Sequence, residues 1–133
     1  MKQNKNRIVL RKDDYEVMTA YLKGAGAVRS YDRINAEELE SELKRATVVA
    51  KNVFPKNVVR LNSTVLIKDE KEDKILELTV VTPEKADIRD RKISFMAPIG
   101  TALIGFKEGE KVKWNVPAGK KEFLIMKVIN NHD

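Results

Sequence analysis

Carboxylates and hydroxyls are nearly all the reactive chemistry this sequence offers. It has no cysteine and a single histidine, His132, beside the C-terminus, where chains fray. Thiolate catalysis, disulfides, cysteine-based zinc sites and a histidine-based triad are thereby excluded. No Gly-x-x-x-x-Gly-Lys loop is present to cradle a phosphate. The acids closest to forming a site lie past residue 30. The segment 24–34, GAGAVRSYDRI, reads as a loop with one acid, Asp32, flanked by Arg33, and Glu37 and Glu38 follow in the first turn of a helix opening at Asn35. Acids in a first turn are what the helix dipole favours, so Glu37 and Glu38 there are structural before they are chemical. No catalytic residue, cofactor or metal set is assembled, and the chain reads as a non-enzyme.

A second constellation, Ser94 to Glu110 (SFMAPIGTALIGFKEGE), is built for shape. Pro98 fixes φ and removes a backbone donor, and Gly100 permits close backbone approach. A short Ala/Leu/Ile run follows, then Gly105 and Gly109 around a tight reversal before a strand. Residues 97–100 therefore read as a rigid, shallow apolar loop, which is either core punctuation or a contact surface.

The order of residues here resembles the C-terminal signature of the GreA/GreB transcription elongation factors, and in particular their shorter Rnk branch, the regulators of nucleoside diphosphate kinase. Ser94, Pro98, Ile99, Gly100, Ala102, Leu103, Ile104, Gly109 and Glu110 follow the family order, with Ala97 where the family has a second serine. Lys111 to Gly119 (KVKWNVPAG) resembles the family's strand and Pro-containing turn, and the likeness covers roughly residues 53 to 130. It implies an FKBP-like C-terminal domain that docks on the β′ rim helices of bacterial RNA polymerase, near the mouth of the secondary channel. The contact implied is Ala97, Pro98, Ile99 and Gly100, with Pro98 setting the shape and Ile99 supplying outward apolar atoms. In the family a much longer coiled coil carries an Asp and a Glu at its tip that help hold a second Mg²⁺ for transcript cleavage, since a hard cation wants oxygen ligands. The hairpin tip candidates here are Asp32, Glu37 and Glu38. The family's tip motif is missing, so the resemblance implies a polymerase-binding regulator that competes with Gre factors without robust cleavage stimulation. A short cleavage factor using Asp32 with Glu37 or Glu38 is the alternative. A prolyl isomerase, from a different class, rests on the FKBP-like fold alone.

The elements that position these residues fall in two groups. In 1–52, Asp13 followed by Glu16 suggests a helix N-cap, and Tyr15, Val17, Met18, Tyr21 and Leu22 give one apolar face that ends at Gly24. A second helix carries Leu39, Leu43, Ala46 and then Val49 or Ala50. The two predict a short antiparallel helical hairpin, about 15 Å and 24 Å long, ahead of which Arg7 to Leu10 is a short strand of unassigned partner. After Pro55 the period changes to alternation: Val59 to Ile67 with a turn at Asn62-Ser63, Leu76 to Val81, Ile93 to Met96, Val112 to Val116 and Phe123 to Ile129 predict strands, with a single helical turn at Ala102 to Ile104. The fold class is thus α+β, with a boundary between 1–52 and 53–133 and residues 53–130 expected to fold alone. Phe106 and Trp114, at strand-compatible positions, are expected in the core.

Composition sets the remaining bounds. A chain of 133 residues with 42% hydrophobic content supports one modest core. No stretch approaches the roughly 18 apolar residues of a membrane span, and Met1 to Arg11 is too polar for a signal peptide, so a cytoplasmic monomer is expected. The net charge of +6 divides evenly: residues 1–52 hold eleven bases and eight acids, residues 53–133 fifteen and twelve, +3 in each part. Bases interleave with acids, as in Lys68 to Lys74, and exposed aromatics do not accompany them. The DNA binding attached to the family is therefore not expected as a sequence-specific activity here.

Overall fold

The computed structural model describes residues 8–23, 30–116 and 119–130; for 30–36, 38, 114–116 and 119–120 only the course of the backbone is described. Strand β1 (Val9–Arg11) leads directly into helix α1 (Lys12–Lys23). Asp13 stands inside the first turn, not before it. Its carboxylate accepts the Asp14 N–H at 2.9 Å and two hydrogen bonds from the Arg11 guanidinium, at 2.7 and 2.6 Å. Those Arg11 bonds pull its pKa down to about 2.

Helix α2 (Ser30–Arg45) departs from expectation at both ends. It begins at Ser30, since no Gly or Pro interrupts 30–34, so Asp32 belongs to a helix and not to a loop. It stops at Arg45, short of Val49. Thr47, Val48 and Val49 are β-branched, stiff at χ1 and suited to extended backbone. They form β2 (Thr47–Val49), which pairs in parallel with β1, Val9 opposite Thr47 and Arg11 opposite Val49. This is the partner the short N-terminal strand lacked. The connection at 24–29, which carries most of the predicted hairpin turn, lies outside the described residues.

The alternating segments form β3 (Thr64–Asp69), β4 (Lys74–Val81), β5 (Lys92–Ser94), β6 (Lys111–Val116) and β7 (Gly119–Ile129), ordered β5-β4-β3-β7-β6. Within this five-stranded sheet only β4 and β5 pair in parallel. Asn62 takes the left-handed conformation, φ 74°, at the expected turn before β3. Along β3, Val65, Ile67 and Asp69 are buried while Thr64, Leu66 and Lys68 are half-buried. The alternating strand expected over Leu76 to Val81 has an uncovered start, where Ile75 and Leu76 are exposed. The cause is topological: β5 reaches only Thr79 to Val81 and leaves the first part of β4 as an open edge. Helix α3 (Pro98–Leu103) packs against β5, β6 and α2. Among the described residues no helix is long and apolar enough to cross a membrane.

One core runs through both groups of elements. Ile8, Leu10, Met18, Leu39 and Leu43 from the first join Val59, Leu61, Val65, Ile67, Val80, Phe95, Leu103, Ile104, Val112, Phe123 and Ile125 from the second. The Tyr21 ring meets Phe95 edge-on at 5.8 Å, and Val9 N–H donates to the Gly105 carbonyl at 3.1 Å. Gly105 has φ +84°, and a Cβ there would press into Ile8, so this glycine serves both the backbone turn and the close approach of β1. The core thus crosses the boundary expected at residues 52/53.

Candidate functional site

The signature segment turns out to be mostly fold-making. Phe95, fully buried, anchors its start, its N–H donating to the Val81 carbonyl at 2.8 Å. The Ser94 hydroxyl accepts the Met96 N–H at 2.9 Å and the Ser94 carbonyl accepts the Ala97 N–H at 3.0 Å, which turns the chain out of β5. The next residues are not a loop. Pro98 occupies the first position of α3, where its fixed φ suits the helix and its missing N–H is not needed. Gly100 lies so close to the end of β5 that a Cβ would overlap the Ser94 carbonyl oxygen. Thr101, buried, donates its hydroxyl to the Phe95 carbonyl at 2.9 Å.

Ile99 corrects the sequence reading most directly. Its side chain is only 6% exposed and belongs to the core, because the first turn of α3 rotates position 99 toward the sheet while 98 stays outside. Pro98 is exposed, Ala97 and Met96 are half-buried, and Gly100 is buried. The outward part of the expected contact is therefore Ala97 and Pro98. Phe106 is partly buried against the core, as expected, and the side chain of Trp114 lies outside the described set.

Ala97 occupies the N-cap of α3, with φ −73° and ψ 154° and no side-chain cap. A serine there would accept a backbone N–H of the first turn, so its physical role is helix capping. Ala97→Ser is expected to stabilise the fold by about 0.5–2 kcal/mol. Thermal melting checks this, and an unchanged or lowered melting temperature would show that the cap geometry is not satisfied.

The tip candidates are not brought together by the backbone. Asp32, Glu37 and Glu38 all lie in α2, Glu37 exposed, the side chains of the other two outside the described set. Asp32 is five residues from Glu37 and six from Glu38, whereas spacings of three or four place helical side chains side by side. Among the described residues no cluster of acids or histidine suited to a metal ion occurs.

Sequence reasoning missed the main polar contact between the two groups of elements. Arg60 Nε and Nη2 donate to the two carboxylate oxygens of Asp14, each at 2.9 Å, with the side chains 10% and 5% exposed. The signal was an arginine inside the apolar run Val58-Val59-Arg60-Leu61, since a buried guanidinium needs a carboxylate. A second tie joins the Tyr21 hydroxyl, as donor, to Glu84, which also accepts from Thr82 at 2.7 Å. Glu84 raises the Tyr21 pKa and its own is lowered in return.

A short edge strand feeding a proline-started helix, with two N-terminal helices packed on the same core, defines a mixed helix-and-sheet body. The profile of the family "Transcription elongation factor, GreA/GreB, C-term" matches residues 54–130, and the chain belongs to the GreA/GreB family of transcription elongation factors. It is similar to the transcription elongation factor GreA of Clostridium acetobutylicum, 35% identical over 91 residues, and to that of Clostridium botulinum strain Hall, 38% identical over 91 residues. These matches cover 68% of this chain and only 58% and 57% of the relatives. Among solved structures, a GreA/GreB elongation factor from Nitrosomonas europaea superposes with a TM-score of 0.77 at 32% identity, covering 95% of this chain and all of that one. Thermus aquaticus Gfh1 shares the fold, with a TM-score of 0.53 at 24% identity over 94% of this chain.

Proposed function

We propose that this protein is a Rnk-like, non-enzymatic regulator that binds RNA polymerase at the secondary-channel entrance. It docks its FKBP-like body on the β′ rim helices through the exposed Ala97-Pro98 start of α3. It competes with Gre factors there and does not itself stimulate transcript cleavage. The observation that carries the second half of this reading is α2. Its 16 residues span only about 24 Å, and Asp32 stands five and six residues from Glu37 and Glu38, spacings that do not set helical side chains side by side. Membership of the family supports the partner, and the rigid, exposed Pro98 supports the contact, because a preorganised loop end loses little entropy on docking.

Transcript shortening in a stalled elongation complex tests the reading. Adding the protein is expected to leave intrinsic cleavage unchanged and to reduce cleavage driven by added GreA. Strong stimulation that disappears in Asp32→Asn would overturn it in favour of a short cleavage factor. Polymerase that fails to retain the protein in a pull-down, with or without GreA, would overturn the docking itself.

A further inference from the structure

Ile88 is 90% exposed, well beyond Val53 at 62%, the next among the large apolar side chains of the described residues. It sits at the tip of a loop whose backbone is fully specified. Asp87 and Lys92 exchange two hydrogen bonds of 2.9 Å across the loop's neck. The Asp87 carboxylate accepts the Arg89 N–H at 3.0 Å, and the N–H groups of Asp90 and Arg91 donate to the carbonyls of Asp87 and Ile88 at 3.1 and 3.0 Å. Arg91 closes the turn in the left-handed conformation, φ 56°, and its carbonyl accepts the Thr79 N–H from the sheet at 2.9 Å. A single exposed apolar residue on a surface needs no explanation. A β-branched one held out on a fixed turn is different, because it presents apolar area with little loop entropy left to lose on binding.

The charges around it favour one kind of partner. Arg89, Arg91 and Lys92 are exposed, and among the described residues no ion pair engages them. The loop's two acids, Asp87 and Asp90, stand against these three cations, and the Asp87 carboxylate is turned onto the Arg89 backbone N–H. Nucleic-acid phosphates would suit the cations but give Ile88 nothing to bury against, and the loop has no aromatic ring for a base to stack on. A protein surface with an apolar depression bordered by carboxylates satisfies both features. The loop is also continuous with the start of α3: β5, three residues long, spans about 10 Å between them. Ile88 and Pro98 thus stand at opposite ends of the same edge strand, within reach of one partner.

We propose that Ile88, flanked by Arg89 and Arg91, is a second anchor for RNA polymerase, seating in a carboxylate-rimmed apolar depression beside the surface that meets Pro98. This rests on the polymerase-docking reading above. The test is a binding titration against labelled core RNA polymerase for the full chain and for Ile88→Asp, Ile88→Leu and Arg89→Glu, each with a thermal melt. Ile88→Asp is expected to weaken binding about tenfold or more with the melt unchanged, Ile88→Leu to stay within about threefold, and Arg89→Glu to weaken it most at low salt. If the unaltered chain binds and Ile88→Asp binds equally well, the second anchor is overturned and the docking reading stands. An unaltered chain that does not bind overturns both. A labelled single-stranded DNA run in parallel separates the remaining source: weakening confined to DNA would assign the loop to nucleic acid and overturn the proposal.

Discussion

Ile99→Asp is expected to unfold the protein. Ile99 lies in the same buried cluster as Phe95, Leu103 and Ile104, an apolar surrounding for a carboxylate. An unpaired charge in such a place costs several kcal/mol, a large share of the 5–15 kcal/mol that usually separates folded from unfolded states. Circular dichroism melting is expected to show a large drop in melting temperature or loss of the transition. Pro98→Asp, one residue earlier, is the contrast. Position 98 is exposed and begins a helix, where an acid is well placed, so that variant is expected to melt almost as the unaltered chain does and to bind polymerase more weakly. A folded Ile99→Asp with reduced binding would restore the outward-facing reading of Ile99.

A chain beginning at Val53 is expected to be severely destabilised. Deleting the preceding residues strips Ile8, Leu10, Met18, Leu39 and Leu43 from the core and uncovers one edge of Phe95 where Tyr21 packs. It also leaves Arg60 without Asp14. Removing one partner of a pair that stays buried costs about 3–5 kcal/mol, and the loss here is smaller to the extent that the deletion lets water reach Arg60. Thermal and urea unfolding of the 53–133 chain would show a transition much lower than that of the full chain, or none. An equally stable, cooperative transition would mean that the helices are an appendage after all. Arg60→Met in the truncated chain separates the two contributions, since it removes the orphaned charge and leaves the uncovered apolar surface.

Much of this molecule is determined by its sequence through local physics. Alternation places β3, β6 and β7, and Asn62 marks its turn because a short polar side chain tolerates positive φ. The absence of cysteine and the isolation of His132 rule out whole classes of chemistry before any fold is known. The Ser94 to Glu110 segment was sufficient to indicate the family. What the segment does inside the protein was decided only in three dimensions. Whether 97–100 is a loop or the start of a helix, and so whether Ile99 points out or in, depends on α3 packing between the two edge strands of a sheet formed by distant residues. Thr47 to Val49 extends the helical spacing of α2 perfectly well on paper, yet it pairs with Val9 to Arg11, because an open strand far away in sequence offers it backbone hydrogen bonds. Nothing in the linear order joins Asp14 to Arg60, and nothing in it marks Ile88 as exposed. Burial, pairing and exposure are properties of positions that meet in space, and local periodicity carries no record of which positions those are.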